Sequence, residues 1–94
     1  PKILIIEDEE TIRRVLKKVL HQEDKNYEII EAVDGVDGVS KINSNKFDLI
    51  LCDIKMPKKD GIEVLRHVLK ECPNTPTIMI SGHGDLETAV ESME

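Results

Sequence analysis

Tryptophan is absent from these 94 residues, and only Tyr27 and Phe47 are aromatic, so the chain has no stacking platform for nucleobases. Positive charge is in deficit. Thirteen lysines and arginines stand against 19 aspartates and glutamates, a net charge of −6, which is the wrong sign for a face that neutralises phosphates. A direct nucleic-acid partner is therefore not expected. No apolar run approaches the about eighteen residues that a membrane span needs, and the opening residues read as a strand rather than a secretory leader. Cysteine is scarce: Cys52 and Cys72 form no CxxC pair and no metal set. They read as two reduced, packed thiols of a cytoplasmic protein, although spacing alone does not forbid a disulfide.

What remains is ordinary globular composition, 34% charged and 39% apolar, in a length that allows one domain with a small core. Four apolar runs stand out: Lys2 to Ile6 (KILII), Tyr27 to Ala32 (YEIIEA), Phe47 to Cys52 (FDLILC) and Thr75 to Ile80 (TPTIMI). The first and fourth are nearly unbroken in Ile, Leu and Met, as in parallel strands covered on both faces, while Glu28 and Glu31 place the second nearer an edge. Pro76 is tolerable only at a strand's start. Helical patterns lie between. Ile12, Val15, Leu16, Val19 and Leu20 form one stripe, with Arg13, Arg14, Lys17 and Lys18 facing away and Glu9 and Glu10 suiting its N-terminus. A second helix, weakened by Gly35 and Gly38, is capped by Asp34 and turns Val36, Val39 and Ile42 to the sheet. A third, about Gly61 to Glu71, presents Ile62, Leu65, Val68 and Leu69 and stops before Pro73. A last helix starts near Asp85 with Leu86, Ala89, Val90 and Met93. Strand and helix thus alternate four times, which means an α/β sheet with right-handed crossovers.

Ligands of such sheets sit beyond the carboxyl ends of the strands. Glu7 and Asp8 follow the first run, Asp53 the third and Ser81 the fourth. If the first and third strands are neighbours, three carboxylates crowd together, and each pair at 4 Å repels by about 4 kcal/mol at an effective dielectric of 20. A hard divalent cation resolves this, and magnesium prefers oxygen ligands of this kind. No glycine-rich phosphate loop follows the first strand, where the sequence reads IEDEET; a phosphate must arrive with metal or bind to it. His21 and His67 read as solvated or half-buried surface, and His83, beside Ser81, could report on that position but is assigned no chemistry.

The segments ILIIEDEE, LILCDIKMPKKDG and TIMISGHGD together resemble the receiver domain of bacterial two-component response regulators, and SGHGDLETAVESM is further similar to the receivers of NtrC-type transcriptional activators. The resemblance spans residues 1–94. It implies a flavodoxin-like, doubly wound parallel sheet of strand order 2-1-3-4. It implies Asp53 as phospho-acceptor from a sensor histidine kinase, Asp8 as direct magnesium ligand, and Glu7 as the acid that reaches the metal through water. Lys55 would contribute its main-chain carbonyl to the metal, and Ser81 the hydroxyl that turns toward the phosphoryl group. Pro57 would force a tight exit from the third strand and restrict Met56, and Gly61 would supply a permissive position before the third helix. Such a domain is not an enzyme beyond weak self-phosphorylation and autodephosphorylation, and it switches an output domain on the same parent chain, here expected to be transcriptional.

The family completes five strand–helix units, and this sequence ends in the fourth helix; a unit of roughly 25–30 residues is lacking, with its phosphoryl-pairing lysine and aromatic switch residue. The expectation is a truncated domain with weak or lost phosphorylation, which is either less stable than the complete domain or associates, as a homodimer, through the exposed edge of its fourth strand. Two other readings stand beside the switch. One is an interaction module of the same fold that works without phosphorylation. The other is an aspartate-nucleophile hydrolase, disfavoured because Lys55 stands where a D-x-D motif needs its second acid.

Overall fold

Ile3, Leu4, Ile5 and Ile6 are all buried, because β1 (Lys2–Ile6) is an interior strand with a neighbour on each side and helices over both faces. The computed structural model describes residues 1–54 and 61–80. In chain order, β1 is followed by α1 (Glu10–Glu23), β2 (Glu28–Ala32), α2 (Gly35–Ser44), β3 (Leu49–Asp53), α3 (Gly61–Glu71) and β4 (Thr77–Ile80). The strands are parallel, in the order β2-β1-β3-β4. That is the order implied by the resemblance. Among the described residues β4 pairs only with β3. The helix expected near Asp85 lies outside the described residues.

Alternation along the strands sends Leu4, Ile6, Ile50, Cys52 and Met79 to one face, where they pack with Ile42, Phe47, Val64 and Val68. Ile3, Ile5 and Leu51, of opposite parity, are buried on the face crossed by α1. Pro76 has no amide hydrogen to give and precedes β4, while its carbonyl accepts from the Ile50 amide at 3.0 Å. Three strands are shorter at their starts than their apolar runs, and β3 extends one residue further, to Asp53.

The helices correct several expected faces. Val15 and Val19 of α1 are 57% and 50% exposed, leaving Ile12, Leu16 and Leu20 half-buried. In α3, Val64 and Val68 are the buried positions, and Ile62 and Leu69 stand in solvent. Val36 of α2 is also exposed; Gly35, Gly38 and Ile42 are its buried residues. Gly38, one of the two glycines that weaken α2 by propensity, is what lets it approach the sheet, since a Cβ there would stand 2.6 Å from Cδ1 of Ile6. Close packing overrides helix propensity there. The Asp34 carboxylate caps α2 by accepting from the Asp37 amide at 2.7 Å, as expected. Neither cysteine is in a disulfide; Cys52 is buried and Cys72 half-buried.

Candidate metal centre

The β1–β3 ladder sets Ile6 opposite Cys52. One residue further on each strand, Glu7 and Asp53 therefore stand side by side at the carboxyl rim. Glu7, Asp8 and Asp53 each bring a carboxylate oxygen within 4.8 Å of the others. Glu7 and Asp53 are almost fully buried, at 1% and 3% exposed, and Asp8 opens to solvent.

Glu7 is anchored at both ends of its peptide. Its amide donates to the Ala32 carbonyl at 3.1 Å, extending the β1–β2 ladder beyond the strands, and its carbonyl accepts from Nη1 of Arg13 at 2.7 Å. Its Oε1 accepts from the Glu9 amide at 3.1 Å. Glu9 is the N-cap of α1 but caps nothing with its own side chain, so the Glu7 carboxylate closes that turn instead. The other oxygen, Oε2, is buried without a hydrogen-bond partner among the described residues. Burial foremost, and then the Asp8 and Asp53 carboxyls, push Glu7 up to about 8, against the opposing pull of the Glu9 amide. An orphaned, desolvated oxygen among hard oxygen donors fits a small divalent cation, and the set suits magnesium better than a softer metal.

Behind the acids the backbone is locked. The Ile54 amide donates to Ile80 and the Gly61 amide to Ile54, both at 2.8 Å. A Cβ on Gly61 would fall 2.6 Å from Cα of Ile54 and also strike the Asp53 carbonyl, so only glycine lets α3 start against the end of β3. The sequence expectations for Lys55, Met56, Pro57, Ser81 and His83 fall outside the described residues. His67 bonds Asn43 at 2.8 Å and His21 the Tyr27 carbonyl at 3.2 Å, tying elements together away from the acids. A groove of about 810 Å³ by Phe47 and Cys72 opens at the opposite end of the strands and holds none of the three.

Arg13 is the residue that sequence reasoning misplaced. Expected to face away, its side chain is only 12% exposed, with Nε 3.4 Å from Glu31 Oε1. That pair is close enough for charge attraction but not aligned as a hydrogen bond. The available signal was Glu31, the second of the two acids of β2, which calls for a cation reaching across from α1.

Residues 3–94 match the sequence profile of the family described as the response regulator receiver domain. The transcriptional regulatory protein ResD of Bacillus subtilis is 42% identical over 93 residues, 99% of this chain and 38% of ResD. The structure of NtrX from Brucella abortus superposes with a TM-score of 0.81 at 34% identity, over 97% of this chain and 20% of that one. A chain of the crystal structure of histidine kinase ThkA in complex with response regulator protein TrrA superposes with a TM-score of 0.82 at 29% identity, covering 99% of this chain and 80% of that one. The chain thus spans well under half the length of ResD and of NtrX.

Proposed function

This chain belongs to the response regulator receiver domains, and on that premise we propose that it is a phospho-acceptor switch in which Asp53 takes a phosphoryl group from a histidine kinase. The observation that carries the reading is the triad of carboxylates within 4.8 Å, two of them buried. Glu7, Asp8 and Asp53 would hold magnesium, with the Lys55 carbonyl as a further ligand. Bound there, the ion offsets the repulsion among the acids and the charge of an incoming phosphoryl group. A carboxylate oxygen of Asp53 forms the new O–P bond as the donor's bond to phosphorus breaks, giving an acyl phosphate. The added charge, near −2 by the analogy of other phosphorylated side chains, draws in nearby hydroxyl and amide donors, and the Ser81 hydroxyl is the one assigned to it.

The kinase as donor is supported by the ThkA–TrrA complex. A transcriptional output on the same parent chain is supported by ResD, which is a transcriptional regulatory protein by description and extends well beyond the matched part. No helix among the described residues is long and apolar enough to cross a membrane.

The test is incubation with a small acyl-phosphate donor and magnesium, followed by mass spectrometry. A single base-labile phosphoryl adduct on Asp53 is expected, and it should not form when magnesium is chelated beforehand or in Asp53→Asn. Labelling that survives Asp53→Asn, or none with either the donor or a kinase, overturns the reading.

A further inference from the structure

Asp8 is the exposed member of the acid triad, and its position relative to the two buried acids depends on the peptide that joins it to Glu7. That peptide's carbonyl lies past the last β1–β3 pair, Ile6 with Cys52, so no ladder partner orients it. The group that does is the Arg13 guanidinium, which donates through Nη1 at 2.7 Å, a short, charge-assisted contact. Glu31, on β2, flanks the same guanidinium at 3.4 Å. The Arg13 amide is itself held by the Glu9 carbonyl at 3.1 Å in the first turn of α1. The β1–α1 loop is thus clasped from both sides, by the Ala32 carbonyl on the Glu7 amide and by Arg13 on the Glu7 carbonyl.

We infer that Arg13 is a positioning residue for the cation, fixing the Glu7–Asp8 peptide so that the Asp8 carboxylate meets those of Glu7 and Asp53, and that Glu31 in turn aims Arg13. The inference rests on the metal-site reading of the three acids. Without the guanidinium the Glu7 carbonyl loses its one fixed donor among the described residues, the peptide plane is free to rotate, and Asp8 leaves the cluster. The carboxylates of Glu7 and Asp53 stay in place, so binding weakens rather than vanishes. Partners at this remove typically change metal affinity by about tenfold to a hundredfold.

Manganese(II), whose free form is counted by its electron-spin signal, serves as the probe on the protein and its variants. Arg13→Met, which keeps a good helix former at the site, is expected to bind manganese about tenfold to a hundredfold more weakly, with unchanged circular dichroism. Arg13→Lys retains a donor without the fork and should recover part of the loss. Glu31→Gln should weaken binding less, and should add nothing on top of Arg13→Met, since both act through one contact. Arg13→Met binding within about twofold of the parent, while Asp8→Asn binds poorly, overturns the role of Arg13 and leaves the metal site standing. Unchanged binding in both variants overturns both. Should Arg13→Met not fold, Glu31→Gln decides, and parental affinity in that variant overturns the inference.

Discussion

Glu7 holds its proton in the folded chain up to about pH 8, whereas in the unfolded chain it releases it near 4.5. Burial is the main cause, with the facing carboxyls of Asp8 and Asp53 adding to it. Between those two values the folded state binds more protons than the unfolded one. Stability from this group is therefore complete below about 4.5 and is lost as pH rises through about 8. In metal-free buffer the urea midpoint should fall across that window. Glu7→Gln, which keeps the shape and removes the charge, should flatten the fall; a variant as pH-sensitive as the parent would assign it to another group. The three acids were legible in the sequence because charged residues that end apolar runs have nowhere to go but the rim. Arg13 was not, because a side chain that reaches back six residues to a carbonyl leaves no periodic trace in the helical stripe.

The elements obey their end residues more closely than their apolar stripes. Asp34 accepts the Asp37 amide at 2.7 Å, and Asp37 in turn accepts the Val33 amide at 3.0 Å and Nζ of Lys41 at 3.1 Å. Burial works to raise Asp37, but those two donors overcome it and hold the carboxyl below its ordinary range. Its contribution has the opposite sign to that of Glu7, present above the ordinary carboxylate value and lost as pH falls through the lowered one. Asp34→Ala should lower stability by about 1 kcal/mol, read from a urea titration at neutral pH. Gly61→Ala should cost more than about 2 kcal/mol, because the added methyl meets backbone of Asp53 and Ile54 rather than a side chain that can move. A loss within about 0.5 kcal/mol would show that α3 can slide away from β3. The existence of α2 and its cap could be read from Asp34. Of its inward face, apolar spacing found Val39 and Ile42 but misplaced Val36, and it missed Gly38, whose role shows only when Ile6 is seen against it.

At the scale of the molecule, strand order decides everything that the acids can do. Alternating apolar runs predicted a parallel sheet but left the neighbours of β1 open, and only the resemblance supplied the order 2-1-3-4. That order is what sets Glu7 beside Asp53 and concentrates negative charge at one rim, a strain that a cation binding only the folded chain would relieve. Such binding stabilises by about 2.7 kcal/mol at a concentration one hundred times its dissociation constant. The ion must displace the proton that Glu7 otherwise keeps to about pH 8, so its effect grows with pH. Magnesium should therefore raise the melting temperature far more at pH 8 than at pH 5, and should reverse the alkaline loss seen without it. Calorimetric melts at both values, with and without the ion, read this directly. Asp8→Asn should abolish most of the shift while leaving the metal-free melt at pH 5 close to the parent's. A magnesium shift equal at the two pH values, or undiminished in Asp8→Asn, would mean that the ion binds elsewhere and that the rim carries its charge unaided.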